Sequence, residues 1–409
     1  MRSSHIGALI AALLASCPAW AGERWVASWG SAQMIPLDEN ALPAARASDV
    51  TLRQVVRLSV GGKRLRVRFS NAFGTAPLVI GAAYLGRQAA PGGVALVKGS
   101  SHSLSFAGQR SITIPAGAEI YSDPISMAVA PGGDLAVSLY LPTAPAVQTG
   151  HPGSRATSFL IAGNRAADDA PAGAEPSPRW WALADIEVEA PDDSAAVVAI
   201  GDSITDGYGV KPDTHGRWTD AFAARLRADP ATRGIGVVNA GIGGNRILLD
   251  GSGPNLIARF DRDVIARSGV RWAILLEGTN DLGMLTRDAP ATPAAHAAIV
   301  TQLIQAYSQV AARAHAHGIK LIGGTITPFG GNEYYHPGPA LEAARQAVNH
   351  FIRTSGQFDA VIDFDKILRD PARPNRLNPA YDSGDHLHPS MAGYRAMGQA
   401  VPLALFKKH

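Results

Sequence analysis

The sequence predicts an α/β protein: a parallel sheet covered by helices in the C-terminal half, preceded by a β-sandwich. Two observations predict it. From Ser194 onward, short apolar runs alternate with longer runs whose apolar residues recur at helical spacing. Before about residue 190, short stretches instead alternate apolar with polar or small residues, and Gly- and Pro-rich turn clusters separate them.

The 409 residues are 46% hydrophobic and 17% charged, enough for two globular domains. Net charge is +3, with no basic run and no basic-aromatic stripe, so a nucleic-acid partner is not expected. Residues 1–21 read as a secretory signal peptide. Arg2 supplies the positive n-region, and Ile6 to Ala15 is apolar but too short to span a bilayer. Ala19-Trp20-Ala21 offers a small-residue cleavage site that leaves Gly22 first. A competing reading takes Leu14-Ala15-Ser16-Cys17 as a lipoprotein signal lipidated at Cys17; Pro18 directly after it favours simple export. The expectation is a secreted or periplasmic protein, with an anchor at Cys17 as the alternative. Cys17 is the single cysteine, so the exported part would hold neither a disulfide nor a catalytic thiol. No later segment is apolar and long enough for a membrane span.

Residues 23–190 form the predicted β-rich domain. Val55–Val60, Arg64–Ser70 and Leu135–Leu141 alternate as strands do, and Gly61-Gly62-Lys63 between the first two signals a hairpin. Turn clusters recur at Ala90–Gly93, Ala130–Gly133 and Pro152–Ser154. Such spacing suggests a sandwich or jelly roll. Asn164 to Pro178, rich in Ala, Pro, Asp and Gly, reads as a surface loop, and Ala182–Glu189 as a last strand. Trp25, Trp29, Trp180 and Trp181 suit core or interdomain packing better than sugar stacking. Pro191-Asp192-Asp193 marks a boundary, and residues 194–409 form the second domain. Its strands are expected at Val197–Ile200, Val237–Asn239, Trp272–Leu276, Lys320–Ile326 and Ala360–Phe364, and its helices at Trp218–Leu226, Pro293–His317 and Ala340–Thr354.

Four segments of this second domain carry residues suited to chemistry. Ser203 follows the first strand, where open α/β sheets place their ligands; the alternative is a serine that caps the next helix. Asn239-Ala-Gly-Ile-Gly-Gly-Asn245 follows the second, and its glycines can bare a backbone N–H toward a developing oxyanion. A phosphate-binding loop is the rival, but the G-x-G-x-x-G spacing is not met. Leu276–Leu282 follows the third strand and offers the Asn280 amide as a donor, or as a turn asparagine. Asp385-His386-Leu387-His388 precedes a helix-like run. There Asp385 can orient His388, and His388 can take a proton from Ser203. A metal pair of His386 and His388 is the rival, without evident third and fourth ligands. His215 and Trp218, soon after Ser203, are candidates to border a pocket.

Gly201-Asp202-Ser203, Asn239-x-Gly241-x-x-Gly244, Gly278-Thr279-Asn280-Asp281 and Asp385-x-x-His388, in that order, resemble the four blocks of the SGNH, or GDSL, hydrolase superfamily. The resemblance implies a flavodoxin-like three-layer α/β/α fold with a five-stranded parallel core. It implies Ser203 as nucleophile, His388 as base and Asp385 as its orienting partner. It also implies an oxyanion hole from the N–H groups of Ser203 and Gly244 and the Asn280 amide, with Gly243 as a neighbouring candidate. The Gly-x-Ser-x-Gly elbow of ordinary α/β-hydrolases is absent around Ser203. Less specifically, Thr51-Leu-Arg-Gln54, Gly61-Gly62 and Ser70-Asn-Ala-Phe-Gly74 resemble the β-rich N-terminal region of secreted bacterial xylan-esterase-like and lysophospholipase-like members.

The expected function is therefore that of a secreted serine esterase acting through a Ser-His-Asp triad and an acyl-enzyme. The expected substrate is a small-molecule or polysaccharide ester of short acyl length, including O-acetyl groups, and no metal or other cofactor is needed. Two alternatives stand beside it: an acyltransferase to sugar hydroxyls using the same triad, and a carbohydrate-binding protein with a degenerate hydrolase domain. A flavodoxin-type redox carrier shares the sheet topology but leaves Asp385 and His388 unexplained.

Overall fold

The computed structural model describes residues 24–191 and 193–407. The expected signal peptide, its expected cleavage site and Cys17 lie outside the described residues, as does Asp192 of the expected boundary.

The C-terminal half is built on a five-stranded parallel sheet. Its spatial order is Ile235–Gly241, Ala195–Gly201, Val270–Leu276, Lys320–Gly324, Ala360–Ile362, that is 2-1-3-4-5. This is the doubly wound, flavodoxin-like order. The strands form because runs such as Ala195–Ile200 are apolar on both faces, as a sheet covered on both sides requires. Ala195, Val197 and Ala199 point into a core with Trp218, Phe222, Phe364, Met397 and Phe406. Ala196, Val198 and Ile200 point the other way, toward Leu303, Val310 and Val348. Each fully buried Val or Ile of this kind stabilises by roughly 1.5–3 kcal/mol. The helices Trp218–Ala228, Pro293–Ala316 and Pro339–Thr354 fall where the sequence places them. The fourth and fifth strands end two residues early. After the fifth, Asp363 caps the helix Phe364–Leu368 by accepting from the Lys366 N–H, which pulls Phe364 out of the strand.

The N-terminal half contains two larger antiparallel sheets. One joins Trp25–Gly30, Leu183–Glu189, Gly62–Ser70, Glu119–Tyr121 and Ile125–Val129. The other joins Glu175–Ser177, Ser158–Ala162, Val50–Arg57, Asp134–Leu141, Ala82–Arg87 and His102–Ser103. Gly61-Gly62-Lys63 is not a hairpin turn: Val50–Arg57 and Gly62–Ser70 lie in different sheets. Residues 58–61 cross between them, with Leu58 and Val60 buried. The crossing is held by the Leu58 N–H on the Gly133 carbonyl and the Ser59 N–H on the Ser28 carbonyl, both at 3.0 Å. The segment 164–178 is likewise not all loop, because Glu175–Ser177 pairs with Ser158–Leu160 at a sheet edge. Trp25, Trp29, Trp180 and Trp181 are all buried.

The two halves share one apolar core. The Trp25–Gly30 strand packs beside the edge strand Ile235–Gly241, shielding an edge that would otherwise invite pairing. Arg267 fastens the seam by donating to the carbonyls of Ala184 (2.8 Å) and Ser31 (2.9 Å), with its guanidinium 3.0 Å from the buried Asp185 carboxylate. Among the described residues no helix is long and apolar enough to cross a membrane.

Candidate active site

The register brings the motif segments to one edge. Gly201 lies level with Gly241 on one side and Leu276 on the other, so three of the candidate loops leave the sheet together. That edge is where the strand order reverses, the ligand-binding place of such sheets.

Ser203 opens the short helix Ser203–Asp206. It is not the cap: Asp202 is, its Oδ1 accepting the Ile204 N–H at 2.9 Å. The Ser203 hydroxyl is therefore spared, and it lies 2.8 Å from Nε2 of His388. Nδ1 of His388 is 2.6 Å from Oδ2 of Asp385. The other carboxylate oxygen accepts the N–H groups of His388 (2.8 Å) and Leu387 (2.9 Å) and the hydroxyl of Ser383 (2.9 Å). Partial burial pushes the Asp385 carboxyl up, but these donors, the imidazole first, hold it well below the usual carboxylate range. An ionised Asp385 fixes the tautomer that leaves Nε2 as the acceptor facing Ser203. Such an imidazole can take the hydroxyl proton as the oxygen attacks a carbonyl.

His386 turns away from this chain and puts Nδ1 2.6 Å from Oδ2 of Asp382. The two histidines of the rival metal pair thus sit on separate carboxylates. Among the described residues no group of three or more His, Cys, Asp and Glu is placed to hold a metal ion.

Gly244 has φ +74°, and a Cβ there would press on Oγ of Ser252 at 2.8 Å, so the loop needs glycine at this point. Asn280 is tightly oriented. Its NH₂ donates to the Asn245 carbonyl at 2.7 Å, and its Oδ1 accepts the Tyr335 hydroxyl at 2.6 Å. The Asp281 carboxylate accepts the N–H groups of Ile247 (2.9 Å) and Leu248 (3.0 Å), which ties the glycine loop to the Asn280 helix. Asn239 is a brace, its NH₂ donating to the Thr205 carbonyl at 2.6 Å and the Thr219 hydroxyl at 3.0 Å.

Several participants give no signal in the sequence. Arg259 is fully buried and donates to Oδ1 of Asn245, the Ala240 carbonyl and the Gly201 carbonyl, stitching the first two loops together. Tyr335 orients Asn280 from 55 residues away. Tyr208 lays its ring 4.2 Å from the His388 imidazole, centre to centre. Buried Asp202, facing His388 and Asp281, has its carboxyl pushed up to about 6, mainly by burial.

Trp218 does not border the cleft: it is fully buried against Phe222 and Phe364. His215 lines a different space, a cavity of about 220 Å³ between the halves, with Trp29, His151, Trp180, Asp206 and Arg217.

The family model described as the GDSL-like Lipase/Acylhydrolase family matches residues 199–396. No curated protein matches the chain. Among solved structures, the chain is similar to an acetylxylan esterase from Geobacillus stearothermophilus, with 24% identity, 53% of this chain and 96% of that chain covered, and a TM-score of 0.39. It is similar to a GDSL-like lipase from Bacteroides thetaiotaomicron, with 20% identity, 51% and 87% covered, and a TM-score of 0.37. It is also similar to a member of the lipolytic protein G-D-S-L family from Veillonella parvula, with 20% identity, 52% and 98% covered, and a TM-score of 0.36.

Proposed function

Because residues 199–396 form a domain of the GDSL-like lipase/acylhydrolase family, and the chain is thereby a carboxylic ester hydrolase, we propose that Ser203, His388 and Asp385 carry out the hydrolysis. The observation that carries this reading is the unbroken chain of contacts, 2.8 Å from Ser203 Oγ to His388 Nε2 and 2.6 Å from His388 Nδ1 to Asp385 Oδ2. The Ser203 oxygen attacks the ester carbonyl as its proton passes to His388. The Ser203 and Gly244 N–H groups and the Asn280 amide receive the oxyanion. His388 then protonates the leaving alcohol, and water, deprotonated by the same imidazole, releases the acid from the acyl-enzyme.

The acyl group is short in this reading, and the alcohol is a sugar hydroxyl. Two half-exposed tyrosines support it: Tyr208 against His388, and Tyr334 packed 4.9 Å from Tyr335, which orients Asn280. Exposed flat rings with polar tips, one against the imidazole and one beside the tyrosine that orients Asn280, suit a pyranose. We also take the chain to be exported by residues 1–21 and divided near residues 190–194.

Ser203→Ala should abolish hydrolysis of p-nitrophenyl acetate. Asp385→Asn should lower kcat by about 10⁴-fold through the wrong tautomer. Full activity in Ser203→Ala would end the proposal. Across p-nitrophenyl esters of rising chain length, kcat/KM should fall from acetate onward, and acetylated xylan should release acetate; a rise toward long chains would overturn the short-acyl reading.

A further inference from the structure

Ser203, His388, Asp385 and Asn280 all belong to the α/β half, yet the helix that Ser203 opens is held at its other end by the β-rich half. Its last residue, Asp206, is buried. The Asp206 carboxylate lies 2.9 Å from His151 Nε2 and accepts Nη2 of Arg155 at 2.8 Å. The loop bearing Arg155 comes so close that a Cβ on Gly153 would strike the same carboxylate, so only glycine permits the approach. Arg217, after the helix, donates to the Asp206 carbonyl (2.8 Å), the Gly153 carbonyl (3.1 Å) and the Ser154 carbonyl (2.6 Å). The Asp213 N–H donates to the Arg155 carbonyl at 3.0 Å, and the Asp213 carboxylate accepts the Thr157 N–H at 2.8 Å.

This seam is strained. Arg155, Asp213 and His215, none of them glycine, have φ of 49°, 61° and 50°. Such residues persist only where surrounding contacts hold them, and they gather at functional sites.

The Arg155 guanidinium has a second neighbour, the Tyr208 ring, whose centre is 5.8 Å from its central carbon. The other side of the relation is the His388 imidazole, 4.2 Å from that same ring and inclined to it by 33°. The backbone of Tyr208 is pinned by the Tyr394 hydroxyl, which donates to its carbonyl at 2.8 Å. The ring itself is half-exposed, so its side chain needs something to hold it against the imidazole.

We propose that Arg155, supplied by the β-rich half, is a positioning residue for the reaction, holding the Ser203 helix through Asp206 and the His388 imidazole through Tyr208. Asp385 fixes one nitrogen of His388 but leaves the ring free to rock about that hydrogen bond; Tyr208 limits the rocking from one face. The inference rests on the assignment of Ser203 and His388 above, and it gives the β-rich half a part in turnover rather than in binding alone.

The test uses the full-length protein, p-nitrophenyl acetate, and the variants Arg155→Ala, Arg155→Lys, Tyr208→Ala, Tyr208→Phe and Ser203→Ala. Arg165→Ala, an exposed arginine on the same half, serves as control. Arg155→Ala should lower kcat by roughly 10- to 100-fold, the scale of a small misplacement of reacting groups. KM should stay within about twofold, because no substrate contact is lost. Arg155→Lys should recover most of the loss, since an ammonium can still meet Asp206. Tyr208→Ala should lower kcat in the same way, and Tyr208→Phe, which keeps the ring, should recover it. In proton NMR, the carbon-bound imidazole protons of His388, shielded by the Tyr208 ring, should move downfield in both alanine variants.

Unchanged kcat in Arg155→Ala, a rise in KM at constant kcat, or an unmoved His388 resonance would each overturn the inference. If Arg155→Ala does not fold, Arg155→Gln, which keeps most of the side chain's length and loses its charge, is read by kcat, KM and the His388 signal in the same terms. An active Ser203→Ala sinks the underlying assignment instead; an inactive Ser203→Ala beside a fully active Arg155→Ala sinks only this inference.

Discussion

Asp206 and Glu277 are both buried carboxyls close behind the same sheet edge, and their pKa values are shifted in opposite directions. Burial pushes both up. Asp206 nevertheless ends below the ordinary range, because His151, Arg155 and Arg217 surround it and two of them lie within 2.9 Å. Glu277 is pushed well above its ordinary value by burial and by neighbouring Asp202. Its carboxyl oxygens have no hydrogen-bond partner among the described residues, and the Arg259 guanidinium stands 3.8 Å off. Four of the five N–H groups of Arg259 are committed to Asn245, Ala240, Asp263 and Gly201, and the fifth does not come within hydrogen-bond distance of Glu277. A buried cation at hand is therefore not enough to ionise an acid; its donors must also be free to point at it. Where the seam needed a fixed charge, the β-rich half supplied the donors. Behind the glycine loop that follows the second strand, the donors went to the loop and left an acid whose charged form is disfavoured.

The largest test of this contrast is Asp206→Asn. It leaves Arg155 and Arg217 facing an amide, and breaking one side of a buried ion pair typically loses about 3–5 kcal/mol. Urea denaturation at pH 7 should show a loss on that scale. The pH dependence follows from the sign of the shift. The folded-state pKa of Asp206 lies below its unfolded value, so its stabilisation is full above the unfolded carboxylate range and is lost as pH falls through the folded value. The gap between Asp206→Asn and the native protein should therefore narrow as pH falls below about 4. A gap that holds constant down to pH 3 would mean that Asp206 matters for its shape and not for its charge.

The sequence exposes one side of this comparison better than the other. Strand identity in the α/β half is legible because Ala195–Ile200 and Trp272–Leu276 are apolar on both faces, which only a covered sheet tolerates. Helix starts are legible because Thr292 and Pro293, or Pro339, give local signals. Ser203, Gly244 and Asn280 stand out because each follows a strand, and Asp385 and His388 because they precede a helix start. The crossing at residues 58–61 is not, because alternation says which face a residue takes but not which sheet its strand joins. Ser59 settles that by bonding Ser28 and Val237, 31 and 178 residues away. Arg155 and Tyr208 are equally silent, since nothing local marks an arginine in a β-rich loop as a neighbour of Asp206, 51 residues on.

Glu277→Gln gives the smallest effect and the opposite slope. The folded-state pKa of Glu277 is raised, so its contribution is fully present below the unfolded pKa and is lost as pH rises through the folded value. Below its raised folded-state pKa the buried acid is neutral, and there a neutral amide of the same shape should change stability by less than about 1.5 kcal/mol, the scale of one ordinary hydrogen bond. As pH rises toward 9, the native protein must either ionise Glu277 without a hydrogen-bonding partner or hold its proton against the solvent, and the amide faces neither cost. Glu277→Gln should thus gain on the native protein with rising pH, while Asp206→Asn loses ground on leaving the acid range. Parallel denaturation curves at pH 5, 7 and 9 separate the two. If Glu277→Gln were instead as damaging as Asp206→Asn at pH 7, Arg259 would be acting as a true counter-ion to Glu277, and the contrast between the two buried acids would collapse into a single rule of paired charges.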